Sequence, residues 1–362
     1  MSIDLPPRQP PLGIIEGFYG PLWSWDERRQ LLQSLAPHGY HNYWYAPKAD
    51  SFLRRRWNEP HPDAEARELS GFAGFCRAQG VRFGIGLSPF EIFNNFDDSA
   101  KTALARKLAA FDDLGITDLA ILFDDMKSDT PELAARQAAI IHWVAERTGA
   151  DQLTVCPSYY SDDPVLDRVF GQRPEHYLED LGKALDPSVQ VFWTGEEVCS
   201  REVSPGHLQR VSEALGRKPV LWDNYPVNDG DRMSQHLHLR GFTGRPAANR
   251  DFLAGHAINP ALQPALTAVP AITLARSYQQ GANYQYVQAF REAAEEVLGD
   301  DLARQVSADL LVLQDTGLQR ISRERHLALT KCYGRFDHPA AREIVKWLSG
   351  AYQVTDEMVQ TQ

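Results

Sequence analysis

Short apolar runs alternate with amphipathic stretches over roughly the first 275 residues of the 362-residue chain. That alternation predicts βα units built on a parallel sheet. Strands are expected at Leu12–Phe18, His41–Ala46, Val81–Leu87, Asp118–Phe123, Leu153–Cys156, Val189–Trp193, Pro219–Trp222 and Gly255–Ile258. Between them, Ser24 should cap a helix running to about Leu35, with Glu27 at the capping-box position. Further helices are expected at Pro62–Gln79, Lys101–Leu114, Glu175–Leu185 and Pro205–Leu215. One more is expected at Pro131–Arg147, with Thr130 as its cap and Pro131 in its first turn. Eight apolar strands with helices between them predict a closed (β/α)8 TIM barrel.

From about Tyr284 the pattern changes to helix formers at 3.6-residue spacing: Val287, Phe290, Ala294 and Val297, then Leu302, Val306, Leu310 and Leu313. We therefore divide the chain into a barrel over residues 1–275 and a C-terminal helical region over 276–362, packed on the barrel. The same helices are a candidate surface for a homodimer. No internal repeat or low-complexity tract interrupts either part.

Composition narrows the class without identifying it. A hydrophobic share of 43% and a charged share of 23% suit a globular protein with a large core. A net charge of −11 argues against nucleic acid or an anionic membrane as partner. Cys76, Cys156, Cys199 and Cys332 form no CxxC pair, so neither a zinc knuckle nor a redox motif is expected. The stretch Met1 to Pro11 is rich in proline and lacks a basic segment followed by an apolar one. No apolar run reaches the ~18 residues of a membrane span. A cytoplasmic setting is the expectation.

Chemistry enters at the strand ends. Asp124 and Asp125 close the apolar run Leu119–Phe123, the place where a barrel carries its active site. Two adjacent carboxylates raise one another's pKa, a cost accepted for general-acid work or metal binding. Other strand ends carry Glu16-Gly17-Phe18-Tyr19-Gly20, Ala46-Pro47-Lys48-Ala49-Asp50, Pro157-Ser158-Tyr159-Tyr160, Trp193-Thr194-Gly195, Trp222-Asp223-Asn224 with Asn228-Asp229, and Asn259-Pro260. Taken singly, each has a bland reading: a tight turn at Gly17, a surface ion pair at Lys48, barrel core at Trp193 and Trp222. Barrel topology brings them to one face, however, and acids, amides and aromatic rings in one pocket suit a sugar. A nucleophile elbow and a phosphate-binding Gly-rich loop are absent. The histidines do not cluster at strand ends, and His236 and His238 are expected to be solvated, so no metal and no organic cofactor is called for.

The residues quoted above resemble glycoside hydrolase family 84, the β-N-acetylglucosaminidases that include protein O-GlcNAcases and hyaluronidase-like enzymes. The likeness rests on Gly13 through Gly20, Tyr45-Ala46-Pro47-Lys48, Leu122-Phe123-Asp124-Asp125, Trp193-Thr194-Gly195 and Trp222-Asp223-Asn224, in the family's order over about residues 12–275. It implies retaining exo-hydrolysis of terminal β-linked N-acetylglucosamine, with the sugar's own acetamido oxygen attacking the anomeric carbon through an oxazoline intermediate. By that resemblance Asp124 orients the acetamido N–H. Asp125 is the general acid and then the base, its pKa raised by an ionised Asp124. Tyr160 steadies the acetamido oxygen, while Trp222, Thr194 and Val198 surround the acetamido methyl. Gly17, Lys48, Asn224, Asp229 and Asn259 bind sugar hydroxyls, and Asp223 is counted with them from the same strand-seven motif. Ala49 stands where the family often has an acid, which touches the support of Lys48 rather than the chemistry.

The implied partner is an N-acetylglucosamine-bearing glycoprotein or glycoside, and Arg276–Gly281 is expected to shape the aglycone side. Two alternatives remain: another acetamido-sugar hydrolase of hexosaminidase or chitinase type, and an inactive sugar-binding barrel. The chitinase DxxDxDxE signature is missing, and a hexosaminidase would carry an Asp-Glu pair in place of Asp124-Asp125.

Overall fold

The computed structural model describes residues 9–362. The stretch Met1 to Pro11 considered above therefore lies mostly outside the described residues. Eight parallel strands close into a barrel in chain order: β1 (Leu12–Ile15), β2 (Tyr40–Tyr45), β3 (Arg82–Leu87), β4 (Asp118–Leu122), β5 (Gln152–Cys156), β6 (Gln190–Trp193), β7 (Val220–Asp223) and β8 (Gly255–Ile258). The last pairs back onto the first, Leu12 opposite His256 and Ile14 opposite Ile258. β1 and β4 are buried along their whole length, as continuous apolar strands covered on both faces must be. β1 stops short of the expected Phe18 because the Gly17 N–H turns back to the Ile15 carbonyl at 2.8 Å.

The interior is filled by an aromatic ladder. Trp44 of β2 meets Phe192 of β6 edge-on at 5.5 Å, and Phe192 meets Trp222 of β7 at 5.3 Å. Room for Trp44 comes from Gly84, where an added Cβ would stand 2.6 Å from the indole. Trp222, the last member, reaches the carboxyl end of the barrel and becomes the wall of the cavity described below.

The outer layer begins with α1 (Trp25–Leu35), α2 (Asp63–Ala78) and α3 (Asp98–Leu114). It continues with α4 (Leu133–Ala145), α5 (Pro164–Phe170), α6 (Tyr177–Ala184), α7 (Pro205–Leu215) and α8 (Pro264–Gln280). The α1 capping box forms as expected: Ser24 Oγ accepts from the Glu27 N–H at 3.3 Å, and Glu27 Oε2 accepts from the Ser24 N–H at 2.7 Å. The cap expected for α4 does not form. Glu132 takes a left-handed conformation (φ 59°), so the helix starts at Leu133, and the Thr130 hydroxyl donates to Asn94 instead. α5, unanticipated, is a seven-residue helix capped by Asp163, too short to carry a 3.6-residue pattern. The β7–β8 crossover carries two 3-10 turns, Met233–Gln235 and Ala247–Phe252.

Beyond α8 come α9 (Tyr286–Leu298), α10 (Asp300–Leu310), α11 (Arg323–Tyr333), α12 (Pro339–Leu348) and α13 (Asp356–Thr361). The 275/276 line drawn from the sequence falls inside α8, the barrel's own last helix. The following helices are sewn to it. Glu343 of α12 accepts the Ala265 and Leu266 N–H groups in the first turn of α8 at 2.8 and 2.9 Å. Arg276 of α8 pairs with Glu292 and Glu296 of α9 at 2.8 and 2.9 Å. Leu298, Val306, Ile344 and Trp347 belong to the same hydrophobic core as the barrel strands. Among the described residues no helix is long and apolar enough to cross a membrane.

Candidate active site

At the carboxyl end of the strands lies a cavity of about 250 Å³. Its lining includes Gly17, Asp124, Asp125, Tyr160, Thr194, Val198, Trp222, Asn224, Asp229 and Asn259, ten of the twelve residues singled out from the sequence. Of the other two, Lys48 stands behind the wall and donates to Asp124 Oδ2 at 2.5 Å, both groups being buried. The exception is Asp223. Its carboxylate takes both nitrogens of an Arg245 fork, at 2.7 and 2.8 Å, and His256 Nε2 at 3.0 Å. It does not line the cavity, because strand alternation turns it away from the side that Trp222 presents.

Alternation should also have separated Asp124 from Asp125. It does not, because β4 ends at Leu122 and Asp125 adopts the left-handed conformation (φ 55°). For a residue with a Cβ that conformation costs roughly 1–2 kcal/mol, though aspartate tolerates it better than most. Arg54 supports it: one guanidinium nitrogen donates to the Asp125 carbonyl at 2.9 Å and another to Ser88 Oγ at 3.0 Å. Both carboxylates thereby open on one cavity.

Their surroundings differ. Asp124 Oδ1 is buried and has no hydrogen-bond partner among the described residues. Asp125 has both oxygens occupied, Oδ1 by the Tyr160 hydroxyl and Oδ2 by the Tyr19 hydroxyl, each at 2.9 Å. The expected rise in the Asp125 pKa does not occur in this arrangement. Burial does push it up, but Lys48, then Arg54, then the two tyrosine hydroxyls outweigh burial and hold it below the ordinary carboxylate range. The lysine cancels the push that an ionised Asp124 would give. The tyrosines show the converse: burial first, then the Asp125 charge, hold the Tyr19 and Tyr160 hydroxyls far above their usual value, so they remain donors.

Asp229 sits across the cavity and accepts the Tyr19 N–H at 2.8 Å. Burial, aided by the charge of Asp125, pushes its carboxyl up to about 6 against that hydrogen bond and Lys48. Tyr19 thus links Asp125 through its hydroxyl with Asp229 through its amide. Asn224 and Asn259 are locked by a chain: Trp222 Nε1 and Asn259 Nδ2 donate to Asn224 Oδ1 at 3.0 and 2.9 Å, and the Gly17 N–H donates to Asn259 Oδ1 at 3.0 Å. Asn224 Nδ2 gives one hydrogen to the Val198 carbonyl at 2.8 Å. Each amide NH₂ therefore keeps one hydrogen for a ligand. Gly17 must be glycine here, since a Cβ would fall 2.0 Å from the Trp222 ring.

Trp193 faces α7, its Nε1 donating to His207, and so is core. His236 and His238, expected to be solvated, are half-buried and bonded to the Gln314 and Pro226 carbonyls. Arg276–Gly281 is the end of α8, which runs antiparallel to the strands and finishes at the opposite end of the barrel. It cannot shape the cavity. Among the described residues no three His, Cys, Asp or Glu side chains are grouped to hold a metal ion. Sequence reasoning missed Tyr19, Arg54 and Val359. Tyr19 lay inside a quoted motif, Arg54 is one of three consecutive arginines, and Val359 belongs to a helix remote from the barrel in sequence.

Comparison with known proteins agrees with this geometry. Residues 12–314 match the family model described as beta-N-acetylglucosaminidase. The protein O-GlcNAcases of Mus musculus and Rattus norvegicus are each 30% identical over 280 residues, covering 75% of this chain and 30% of theirs. The chain thus spans less than a third of the length of these relatives. A mutant O-GlcNAc hydrolase from Thermobaculum terrenum superposes with a TM-score of 0.77 at 27% identity, covering 94% of this chain and 80% of the other.

Proposed function

The chain belongs to the β-N-acetylglucosaminidase family, glycoside hydrolase family 84, and we propose that it is a retaining exo-β-N-acetylglucosaminidase acting on O-GlcNAc-bearing substrates. The observation that carries this reading is the pair of unlike carboxylates on one cavity. One buried oxygen of Asp124 lacks a partner among the described residues, and Asp125 is held beside it by a left-handed turn.

Asp124, charge-balanced by Lys48, accepts the 2-acetamido N–H on its free oxygen. That contact polarises the amide and aims its carbonyl oxygen at the anomeric carbon. Trp222, Thr194 and Val198 enclose the acetamido methyl, and the Tyr160 hydroxyl turns to the amide oxygen. As the oxygen–C1 bond forms, the glycosidic C1–O bond breaks, and Asp125 delivers its proton to the departing oxygen. The oxazoline is then opened by water, which loses its proton to Asp125, and the β configuration is retained. Neither carboxylate needs to be a nucleophile, so the facing ~5–5.5 Å arrangement of ordinary retaining enzymes is not required.

Asp125 must be protonated in the first step, although its surroundings favour the charged form in the free site. A bound glycoside removes water and draws Tyr160 toward the amide. Both changes raise the Asp125 pKa. Asp229 takes the two outer hydroxyls as a bidentate acceptor, while the spare N–H groups of Asn224 and Asn259 serve the remainder. Lys48, behind the wall, and the Gly17 N–H, bonded to Asn259, hold Asp124 and Asn259 in place. Asp223 is left out of the contact set and positions β7 instead.

The test is release from an aryl β-N-acetylglucosaminide, followed by comparison of O-GlcNAc-bearing peptides with chitobiose. Turnover of the aryl substrate and release of the sugar from the peptide are expected. Sugar binding without release would leave only a lectin.

A further inference from the structure

α13 is six residues long, capped by Thr355, and has no fully buried side chain, only Met358 and Val359 being half-buried against the core. A helix of that length is not stable on its own. The segment before it is firmly seated: Val354 is buried, and its N–H donates to Ser234 Oγ at 3.2 Å. From that anchor α13 crosses the carboxyl end of the barrel, and Val359 lines the same cavity as Asp124 and Asp125.

Two polar contacts pin it there. Gln362 Oε1 accepts the Gly20 N–H at 2.8 Å, on the loop after β1. Arg55 donates to the Gln360 carbonyl at 2.8 Å, on the loop after β2, with its guanidinium 3.9 Å over the Phe90 ring. Their chain neighbours are Tyr19 and Arg54, which hold Asp125 by one carboxylate oxygen and by its carbonyl. Asp125 is the acid for the leaving oxygen, so a strap fastened to both loops stands over the side from which the aglycone departs. This inference rests on the function proposed above.

We propose that α13 is a specificity strap. Seated, it admits a terminal N-acetylglucosamine on a compact aglycone, and a sugar carried on a polypeptide must displace it. Only a fraction of the molecules is then open to polypeptide substrates, which raises their apparent KM by the inverse of that fraction and leaves compact substrates unaffected.

The experiment measures kcat/KM on an aryl β-N-acetylglucosaminide and on an O-GlcNAc-bearing peptide. It compares the full chain, a chain ending at Val354, and Arg55→Ala, which keeps the length and touches no site residue. Removing residues 355–362 should raise peptide kcat/KM on the order of tenfold, through KM, and change the aryl value by less than about threefold. Arg55→Ala should move the peptide value the same way by about threefold, with faster hydrogen exchange confined to α13. It decides the matter where the shortened chain does not fold. An unchanged peptide-to-aryl ratio in both variants overturns the strap while leaving the function standing. No release from the aryl substrate by the full chain overturns the function and the strap together.

Discussion

Two buried strand-end aspartates, Asp124 after β4 and Asp223 at the end of β7, show what separates a site carboxylate from a structural one. Each is paired with a buried cation, Lys48 in one case and Arg245 in the other. Asp223 is saturated: the Arg245 fork and the His256 ring occupy both oxygens, and although burial pushes its carboxyl up, Arg245 and then His256 outweigh burial and bring it down to about 2. Burial also holds His256 below its ordinary value, so it meets Asp223 as a neutral donor, with Nδ1 facing the Tyr278 hydroxyl at 2.9 Å. Asp124, which lines the cavity, is paired through one oxygen only, and the other is buried without a partner among the described residues. A lysine, a point charge without a fork, satisfies one oxygen and leaves the second for a ligand. Strand-end position alone does not mark function; unspent hydrogen-bonding capacity does.

The largest effect expected is at the neighbour of Asp124. Asp125→Ala should cost about 10³-fold in kcat/KM on glycosides with poor leaving groups and far less on activated aryl glycosides. Equal losses on both would contradict its role as acid. Asp124→Asn removes the acceptor for the acetamido N–H. It should lower kcat per folded molecule about 10²- to 10³-fold and, because it leaves the buried Lys48 charge unpaired, also lower the melting temperature. Asp223→Asn should lower stability alone. At Asp223, breaking a buried ion pair costs about 3–5 kcal/mol, a fall in Tm of roughly 4–7 °C in a chain this size, while kcat per folded molecule is kept. If Asp223→Asn lost activity at full stability, the distinction between the two pairs would fail.

Acid titration sharpens the same contrast. The folded pKa of Asp223, about 2, lies below the unfolded value of ~3.9. Its contribution to stability is therefore complete above pH ~4 and is lost as pH falls toward 2. Asp223→Asn should flatten that part of the urea-unfolding profile. Asp229 has the opposite sign. Its folded pKa, about 6, lies above the unfolded value, so stability falls as pH rises from ~4 through 6. Ionised above that range, it accepts two hydroxyls; protonated below it, it accepts less well. KM should rise a few-fold below pH 6, the smallest effect here, and Asp229→Asn should remove that limb.

The eight strands and the barrel were readable because continuous apolar runs bounded by helical periodicity admit few other architectures. The cavity followed from topology, since every βα loop of a barrel opens on one end. Two things were not readable. Whether a strand-end acid points inward depends on one backbone conformation: left-handed at Asp125, extended at Asp223. Partners far apart in sequence decide the rest: Arg54, set among three arginines, Arg245 in an irregular crossover, and Val359 on a short helix without periodicity. The Asp125 pKa failed for the same reason, because its sign depends on Lys48 and two tyrosines rather than on the adjacent aspartate.

The most direct test concerns the sugar's own amide. A series of aryl glycosides with zero to three fluorines on the N-acyl methyl leaves the leaving group constant while weakening the attacking oxygen. A steep fall in kcat/KM with each fluorine is expected if the acetamido group, aimed by Asp124, makes the first bond. A flat response would contradict that and require a nucleophile from the protein.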